Sequence, residues 1–264
     1  MTAVFERFVG IDYSGAQTAT SAVKGLQIYM AEQGTLPIAV APPQPLRHWS
    51  RRTVAEWLDA ELRTGTPTFV GIDHGFSFPE SYFRRYGLSA WSAFVDDFCL
   101  HWPTGGDDCS VDNVRSGAIW QMQKGPETRR VGTSDEFRLC ERWTSSAKSV
   151  FQFDMQGSVA KSTHAGIPWL RWIRDNTRPA PWFWPFDGWV PAPGRSVIAE
   201  IYPSLVRNRY PREDRSVDEQ DAYAVARWLM ECQLRGSLER YFNPPLTLAE
   251  RRTAALEGWI FGVS

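Results

Sequence analysis

Short apolar runs that end on an acidic residue recur along the chain. The pentapeptide Phe-Val-Gly-Ile-Asp occurs at residues 8–12 and again at residues 69–73, and a third apolar run at residues 196–200 ends on a glutamate. Such runs predict buried strands that each deliver one carboxylate to the carboxyl end of the strand. If the three strands are adjacent and parallel, their carboxylates meet at one edge of a sheet. These residues are Asp12, Asp73 and Glu200.

The apolar spacing elsewhere predicts an alternation of strands and helices. Residues 22–30 and 36–40 have strand patterns, whereas the apolar residues of segment 49–62 recur at helical spacing. The predicted order up to residue 73 is therefore strand, strand, strand, helix, strand. The remaining predictions are a strand-like run at residues 149–153 and helices at residues 168–174 and 248–263.

This alternation is interrupted between about residues 84 and 148. Residues 82–102 predict a helix, residues 103–133 a loop and residues 135–143 a short helix. No low-complexity linker separates this region from its surroundings. We therefore interpret it as an insertion in a single domain that spans residues 1–264.

A helix with an acidic first turn is predicted from residue 216 onward. Ser216 and Glu219 have the spacing of a capping box. Asp218 and Asp221 then lie at the start of an otherwise apolar helix face. Two interpretations stay open: the two aspartates are metal ligands, or they stabilise the positive end of the helix dipole.

Composition narrows the class of protein. The 264 residues are 43% hydrophobic and 22% charged, as in an ordinary soluble globular protein. A net charge of −1 argues against tight non-specific binding of duplex nucleic acid. The N-terminus has no export signal pattern and the chain has no 18-residue apolar run, so a cytoplasmic location without membrane contact is expected. Nothing in the sequence specifies an oligomeric state.

Several polar residues are candidates for substrate contact. Ser14 lies in a glycine-containing turn that can bring backbone amides close to a ligand. Lys161 precedes a predicted helix in a setting that suits an anion, although the P-loop spacing is absent. Arg207 and Arg209 belong to a run of four arginines that either contacts phosphate or is simply solvated.

The Trp-rich segment at residues 181–189 also has two interpretations. Its aromatic side chains form either a stacking platform for unpaired bases or a loop that covers the sheet. Large aromatic residues are more often part of a core, which favours the second interpretation.

Five motifs resemble those of a family of predicted RNase H-like nucleases: GIDYSGA, GIDHGFSFP, AEIYPS, DEQDAYAVA and EGWIFGV. The resemblance covers nearly the whole chain except the insertion. It implies a mixed five-stranded sheet flanked by helices, in which the first, fourth and fifth strands are adjacent and parallel. An acid-bearing helix packs beside the carboxyl ends of these strands in that fold. The pair of aspartates at 218 and 221 is also similar to a helix signature of Holliday-junction resolvases.

The resemblance implies hydrolysis of phosphodiester bonds in nucleic acid by two Mg²⁺ or Mn²⁺ ions. Asp12 would bridge the ions, Asp73 and Asp221 would complete one ion's site, and Glu200 would complete the other's. Asp218 would be a spare ligand. DNA, RNA, branched junctions and small phosphodiesters all stay open as substrates.

Asp73 and its neighbour His74 differ in their expected roles. Related nucleases often place Glu where this chain has Asp73, so the shorter side chain is expected to bind metal through water. His74 is either a proton shuttle or, as is more usual beside a strand end, a structural residue.

Other functional classes fit less well. A dinucleotide-binding enzyme would need GxGxxG after the first strand, and an aspartic protease would need an all-β fold and intact Asp-Thr/Ser-Gly turns. A phosphotransferase related to actin-like ATPases would need two such domains. A non-catalytic module that binds nucleic acid or another ligand stays open as an alternative.

Overall fold

Six strands form one sheet at the centre of the structure, a computed structural model that describes residues 4–122, 129–144, 146–155 and 157–264. The strands are β1 (Arg7–Asp12), β2 (Gln27–Glu32), β3 (Ile38–Ala39), β4 (Thr68–Asp73), β5 (Trp182–Trp184) and β6 (Val197–Glu200). Their spatial order is β3-β2-β1-β4-β6-β5. β1, β4, β6 and β5 are parallel to one another, whereas β2 runs antiparallel to both β1 and β3.

The prediction of five strands was wrong, because the Trp-rich segment adds a strand. Residues 182–184 pair with β6 at the open edge of the sheet, where a neighbouring proline removes no ladder hydrogen bond. The Trp184 ring is fully buried and lies 5.1 Å from the ring of Phe261. The aromatic residues of this segment therefore cover the sheet edge, as the second interpretation predicted.

Ten α-helices surround the sheet in the part of the chain that the structure describes, and two short 3-10 helices, Pro203–Leu205 and Arg207–Arg209, follow β6. They are α1 (Arg51–Leu62), α2 (Glu80–Tyr86), α3 (Trp91–His101), α4 (Val111–Arg115), α5 (Ala118–Met122), α6 (Leu139–Trp143), α7 (Ala160–Asn176), α8 (Val217–Leu234), α9 (Leu238–Phe242) and α10 (Leu248–Glu257). None of the helices in these described ranges is both long and apolar enough to cross a bilayer.

Three local predictions were wrong. The helix expected at residues 82–102 is divided into α2 and α3, because Gly87 adopts a left-handed conformation with φ of 68° and ends α2. Residues 149–153 form turns, in which the Ser149 hydroxyl accepts a hydrogen bond from the Phe151 amide. The loop expected at residues 103–133 contains α4 and α5, while its residues 123–128 lie outside the described part, as does residue 145 of the insertion.

The sheet separates two apolar cores. Val9 and Ile11 of β1 point into the core formed with α1, α3 and α7, and Phe8 points into the core formed with α8, α9 and α10. This alternation places Gly10 and Asp12 on the same face as Phe8. The carboxylate that ends β1 therefore points towards the layer that contains α8.

Gly10 allows α8 to lie directly on the sheet. A Cβ atom at this position would be 2.1 Å from the carbonyl oxygen of Ala222 and 2.8 Å from the amide nitrogen of Ala226. At Gly71 on β4, a Cβ atom would be 2.4 Å from the Ile201 side chain. The repeated glycines are therefore required by close packing, and the packing of α8 in turn brings its acids to the strand ends.

We expect Gly10→Ala to lower the free energy of unfolding by about 1–3 kcal/mol, because the added methyl overlaps the backbone of α8. Urea unfolding followed by Trp fluorescence measures the change. Gly25→Ala is the matched control, since its new methyl meets nothing closer than 3.5 Å. Equal unfolding midpoints for the two variants would contradict the account of how α8 packs.

Candidate metal centre

Two aspartates lie side by side because β1 and β4 are parallel and in register. The pairing matches the two pentapeptides residue for residue and ends with Asp12 opposite Asp73. Ile72 of β4 pairs in the same way with Glu200 of β6. The three acid-bearing strands are thus adjacent and parallel, and they end at the same edge of the sheet.

The first turns of α8 bring a third aspartate to the pair. The Ser216 hydroxyl accepts a hydrogen bond from the Glu219 amide, and the Glu219 carboxylate accepts one from the Ser216 amide, so the predicted capping box is confirmed. Asp221 follows two residues later and is buried. One carboxylate oxygen from each of Asp12, Asp73 and Asp221 lies within 4.8 Å of the other two.

Burial and mutual repulsion oppose ionisation of this cluster. Burial, followed by the charges of Asp73, Asp218 and Asp221, raises the pKa of Asp12 well above its ordinary value. Burial together with the charges of Asp221 and Glu200 raises the pKa of Asp73 to about 8. A side-chain hydrogen bond between the two carboxyl groups adds to the rise in the pKa of Asp12 and opposes the rise in the pKa of Asp73. In the absence of a cation, the cluster therefore holds protons at neutral pH.

Asp221 has an ion pair but lacks one hydrogen bond. Burial raises the pKa of Asp221 to about 6, although the positive charge of Arg207 opposes the shift. The Arg207 Nε atom lies 3.3 Å from Asp221 Oδ1. The angle does not suit a hydrogen bond, and the buried Oδ1 atom has no hydrogen-bond partner in the described structure. An unpartnered buried carboxylate oxygen is costly unless a ligand satisfies it.

The three aspartates fit one hard divalent cation. All three donors are carboxylate oxygens, which are the ligands that Mg²⁺ and Mn²⁺ prefer. Oxygens on opposite sides of one Mg²⁺ ion lie about 4.2 Å apart, close to the 4.8 Å limit of this cluster. A cation here would also satisfy Asp221 Oδ1 and remove the reason for the raised pKa values.

Glu200 lies at the end of β6 but is not part of this group. Its Oε1 and Oε2 atoms accept hydrogen bonds of 2.7 Å from Nη2 and Nη1 of Arg138, and Oε2 accepts a third from the Phe76 amide at 3.1 Å. The Arg138 and Glu200 side chains are only 1% and 6% exposed. The structure therefore places the predicted ligand of a second ion in a buried ion pair.

Asp218 and Ser14 lie beside the cluster. The charge of Asp218 raises the pKa of both Asp12 and Asp221, so these carboxylates are close neighbours. The side chains of Asp218 and Ser14 both lie beside Gly25. A Cβ atom added to Gly25 would be 3.5 Å from Asp218 Oδ2 and 3.7 Å from the Ser14 hydroxyl. Both positions suit contact with a ligand that reaches the three aspartates.

The other predicted substrate-binding residues have separate surroundings. Lys161 forms an ion pair with Asp112 through its ammonium group at 2.8 Å. Arg207 contacts the cluster through Asp221, as described above. Arg209 is exposed and interacts with Cys232, three turns along α8 from Asp221. Of the three cations, the structure brings only Arg207 to the aspartates.

His74 is a structural residue. Its Nδ1 atom lies 2.9 Å from the Gly75 carbonyl oxygen, and its Nε2 atom faces Gly166 so closely that a Cβ atom there would be 2.4 Å away. Burial lowers the pKa of His74 to about 4. The imidazole is therefore neutral and enclosed, which does not suit a proton shuttle.

No sequence pattern indicated Arg138 or the cations Lys24 and Arg47. Lys24 and Arg47 line a groove next to Asp218. Arg138 lies in the insertion, where no motif marked it. Lys24 and Arg47 are isolated basic residues in strand and loop segments, and only the folding of those segments against the N-terminus of α8 brings them together. Neither hydrophobic periodicity nor residue spacing indicates contacts between segments so far apart in the sequence.

Comparisons with known proteins found no match among protein-family models, curated proteins or solved structures.

The raised pKa values predict a pH-dependent stability in the absence of metal. Since both values lie above those of an unfolded chain, the folded protein retains protons that the unfolded chain has released. The stabilising contribution is complete below about pH 4 and is lost as the pH rises through about 6 for Asp221 and about 8 for Asp73. In EDTA, the melting temperature should therefore fall between pH 5 and pH 9.

Asp73→Asn should flatten this fall, whereas Asp154→Asn should not, because the Asp154 side chain is 85% exposed. Added Mg²⁺ should raise the melting temperature more at pH 9 than at pH 6, since the ion competes with protons for the same oxygens. Thermal melts in EDTA and in Mg²⁺ across this range measure both effects. A melting temperature that does not change with pH in EDTA would contradict the assigned burial of the cluster.

Proposed function

We propose that this protein is a metal-dependent phosphodiester hydrolase that acts on nucleic acid. The observation that carries the proposal is the convergence of Asp12, Asp73 and Asp221, with an unpartnered buried oxygen on Asp221. An acidic cluster alone is common on protein surfaces. A buried cluster whose pKa values are raised by its own members is more typical of a functional site.

The strand order supports an RNase H-like identity for the fold. That fold requires the first, fourth and last core strands to be adjacent and parallel, with an acid-bearing helix beside their ends. Here β1, β4 and β6 are adjacent and parallel, α8 packs on β1 and β2, and β5 is an additional edge strand. Fold similarity does not establish activity, so the proposal depends on the aspartates.

Three residues of the chain would hold the cation: Asp12, Asp73 and Asp221. A Mg²⁺ or Mn²⁺ ion bound there supplies Lewis-acid polarisation of a phosphoryl oxygen and a water of lowered pKa. Arg207 orients Asp221 through their ion pair, and its Nη2 atom donates to the Ser204 hydroxyl. Its partly exposed guanidinium is the group that would meet a phosphate at this edge. Asp218 adds negative charge beside the cluster and so strengthens the attraction for a cation.

A groove of about 590 Å³ next to Asp218 supplies a surface for a phosphate backbone. Its walls carry four cationic side chains, Lys24, Arg47, Arg212 and Arg215, against two carboxylates, Asp214 and Glu219. Within the described residues the exposed side chains of Arg47 and Arg212 form neither an ion pair nor a hydrogen bond. Burial and the charge of Glu219 raise the pKa of Asp218, and the positive charge of Lys24 opposes this rise, which links the groove to the carboxylates.

Arg215 is paired with Glu213, so the exposed side chains of Arg47 and Arg212 are the free cations described in this groove. In an almost neutral chain, these two cations and Lys24 beside an acidic cluster favour a ligand that is both anionic and extended. A single nucleic-acid strand meets both conditions. The groove therefore extends the proposed site from the metal to the substrate backbone.

We expect Asp12→Asn to reduce Mg²⁺- or Mn²⁺-dependent cleavage of labelled DNA or RNA by at least about 100-fold, because several kcal/mol of metal-derived stabilisation would be lost. A panel of single-stranded, duplex and branched substrates measures cleavage on gels. Asp154→Asn is the control of equal charge change. Cleavage that survives Asp12→Asn would remove this residue from the reaction.

The same panel, together with a thermal melt in ATP and Mg²⁺, distinguishes a nuclease from a binding module and from a phosphotransferase. Metal-independent binding that Asp12→Asn leaves intact, without cleavage by the wild type, would identify a binding module. A rise in melting temperature with ATP and Mg²⁺, again without cleavage, would identify a nucleotide-dependent phosphotransferase.

We expect replacement of Lys24, Arg47 and Arg212 together by Ala to weaken oligonucleotide binding. Each lost phosphate contact lowers the slope of log K against log salt by about 0.7 for a single strand, so the slope should fall by about 2. Fluorescence anisotropy with a labelled single strand measures the slope in the Asp12→Asn background, where the probe is not cleaved.

The matched control replaces Arg84, Arg142 and Arg252, three exposed arginines of α2, α6 and α10, by Ala. It changes the net charge by the same amount away from the groove. Equal losses in both triple variants would show that overall charge governs binding and that the groove does not.

A further inference from the structure

Arg138 is a buried cation contributed by the insertion. It precedes α6, and its guanidinium reaches the ends of the acid-bearing strands. Both Nη atoms bond to Glu200 at 2.7 Å, and Nε bonds to Glu141 at 2.9 Å. The Nη1 atom also bonds to the Glu257 carbonyl oxygen at 3.3 Å. A fully buried arginine with this many partners is fixed in position.

Both carboxylate oxygens of Glu200 are already engaged in hydrogen bonds. Arg138 donates one to each oxygen, and the Phe76 amide donates a second to Oε2. Loss of one partner of a buried ion pair is strongly destabilising, because the other charge is left uncompensated. A metal ion that binds Glu200 would therefore have to compete with Arg138 for the carboxylate.

The surrounding space is also too small for a hydrated ion. Asp73, Arg138 and Glu200 line one cavity of about 20 Å³, which is room for about one water molecule. Mg²⁺ usually keeps several waters in proteins. The residues on this side of Asp73 thus do not fit the second ion that the family resemblance implies.

We infer that the site holds one divalent cation, at Asp12, Asp73 and Asp221, and that the guanidinium of Arg138 takes the place of a second. The inference rests on the proposed function, because it concerns the same acidic edge. Arg138 delivers a permanent positive charge next to Asp73 without a dissociable ion. It is a positioning residue: it neutralises Glu200 and holds it away from the reacting groups.

The insertion gains a specific role from this arrangement. Residues 138–141 bond to Glu200 at the end of β6 and to Glu257 at the end of α10. Glu200 in turn accepts a hydrogen bond from the Phe76 amide in the segment after β4. Loss of the insertion would leave Glu200 buried, charged and unpaired. The insertion therefore keeps Glu200 paired and outside the metal centre.

The number of Mn²⁺ ions bound per chain tests the inference directly. Electron paramagnetic resonance and isothermal titration calorimetry on the wild type should give one ion, with no signal from coupled Mn²⁺ pairs. Two ions per wild-type chain would overturn the role assigned to Arg138. No bound ion would instead overturn the proposed metal site itself, so the two failures are distinguishable.

Three variants extend the test. Arg138→Gln frees Glu200 and should bind two Mn²⁺ ions, whereas Arg138→Lys keeps the charge and should bind one. The double variant Arg138→Gln, Glu200→Gln removes the buried carboxylate together with its partner and should also bind one. A folded Arg138→Gln protein that binds a single ion would overturn the inference. If that variant does not fold, the wild-type count decides the question.

Discussion

The in-register parallel pairing of β1 with β4 is the constraint on which the rest of the structure depends. It places Asp12 directly opposite Asp73, on strands that are buried on both faces. Two carboxylates at this spacing cannot both ionise without a counter-charge. Together with burial, this pairing raises the pKa values of both aspartates and makes the pair a candidate for binding a cation. The ionised form of this pair is therefore unfavourable at the sheet edge unless a positive charge lies beside it.

The contact between β1 and α8 serves both the packing of the core and the positions of the three aspartates. Gly10 lies two residues before Asp12 and has no side chain, so the backbone of α8 touches β1 at this position. That contact fixes both the height and the rotation of α8, and with them the position of Asp221. A larger residue at Gly10 would move the third carboxylate away from the other two. The glycine therefore belongs to the site as well as to the core.

The sequence predicted those parts of the site that depend on local pattern. The repeated pentapeptide indicated two strands ending on aspartates, and the spacing of Ser216 and Glu219 indicated where α8 begins. It did not reveal the partner of Glu200, because Arg138 lies 62 residues away in a segment without periodic pattern. It also missed β5, since the proline-rich surroundings concealed a strand that only an edge position allows. Ion pairs between distant residues and the pairing of an edge strand depend on the tertiary structure, and local residue spacing does not indicate them.

The two arginines beside the acidic edge, Arg138 and Arg207, differ in burial and in hydrogen bonding. This difference determines which side of the site is open to a ligand. Arg138 is 1% exposed and holds Glu200 through two hydrogen bonds of 2.7 Å. Arg207 is 34% exposed and contacts Asp221 at 3.3 Å without hydrogen-bond geometry. Solvent screens the second pair and not the first, so only Arg207 can exchange its carboxylate for a phosphate at little cost. The cation and anionic substrate of the proposed function would therefore approach from the Arg207 and Asp218 side, where the cationic groove lies, because the Arg138 side is closed.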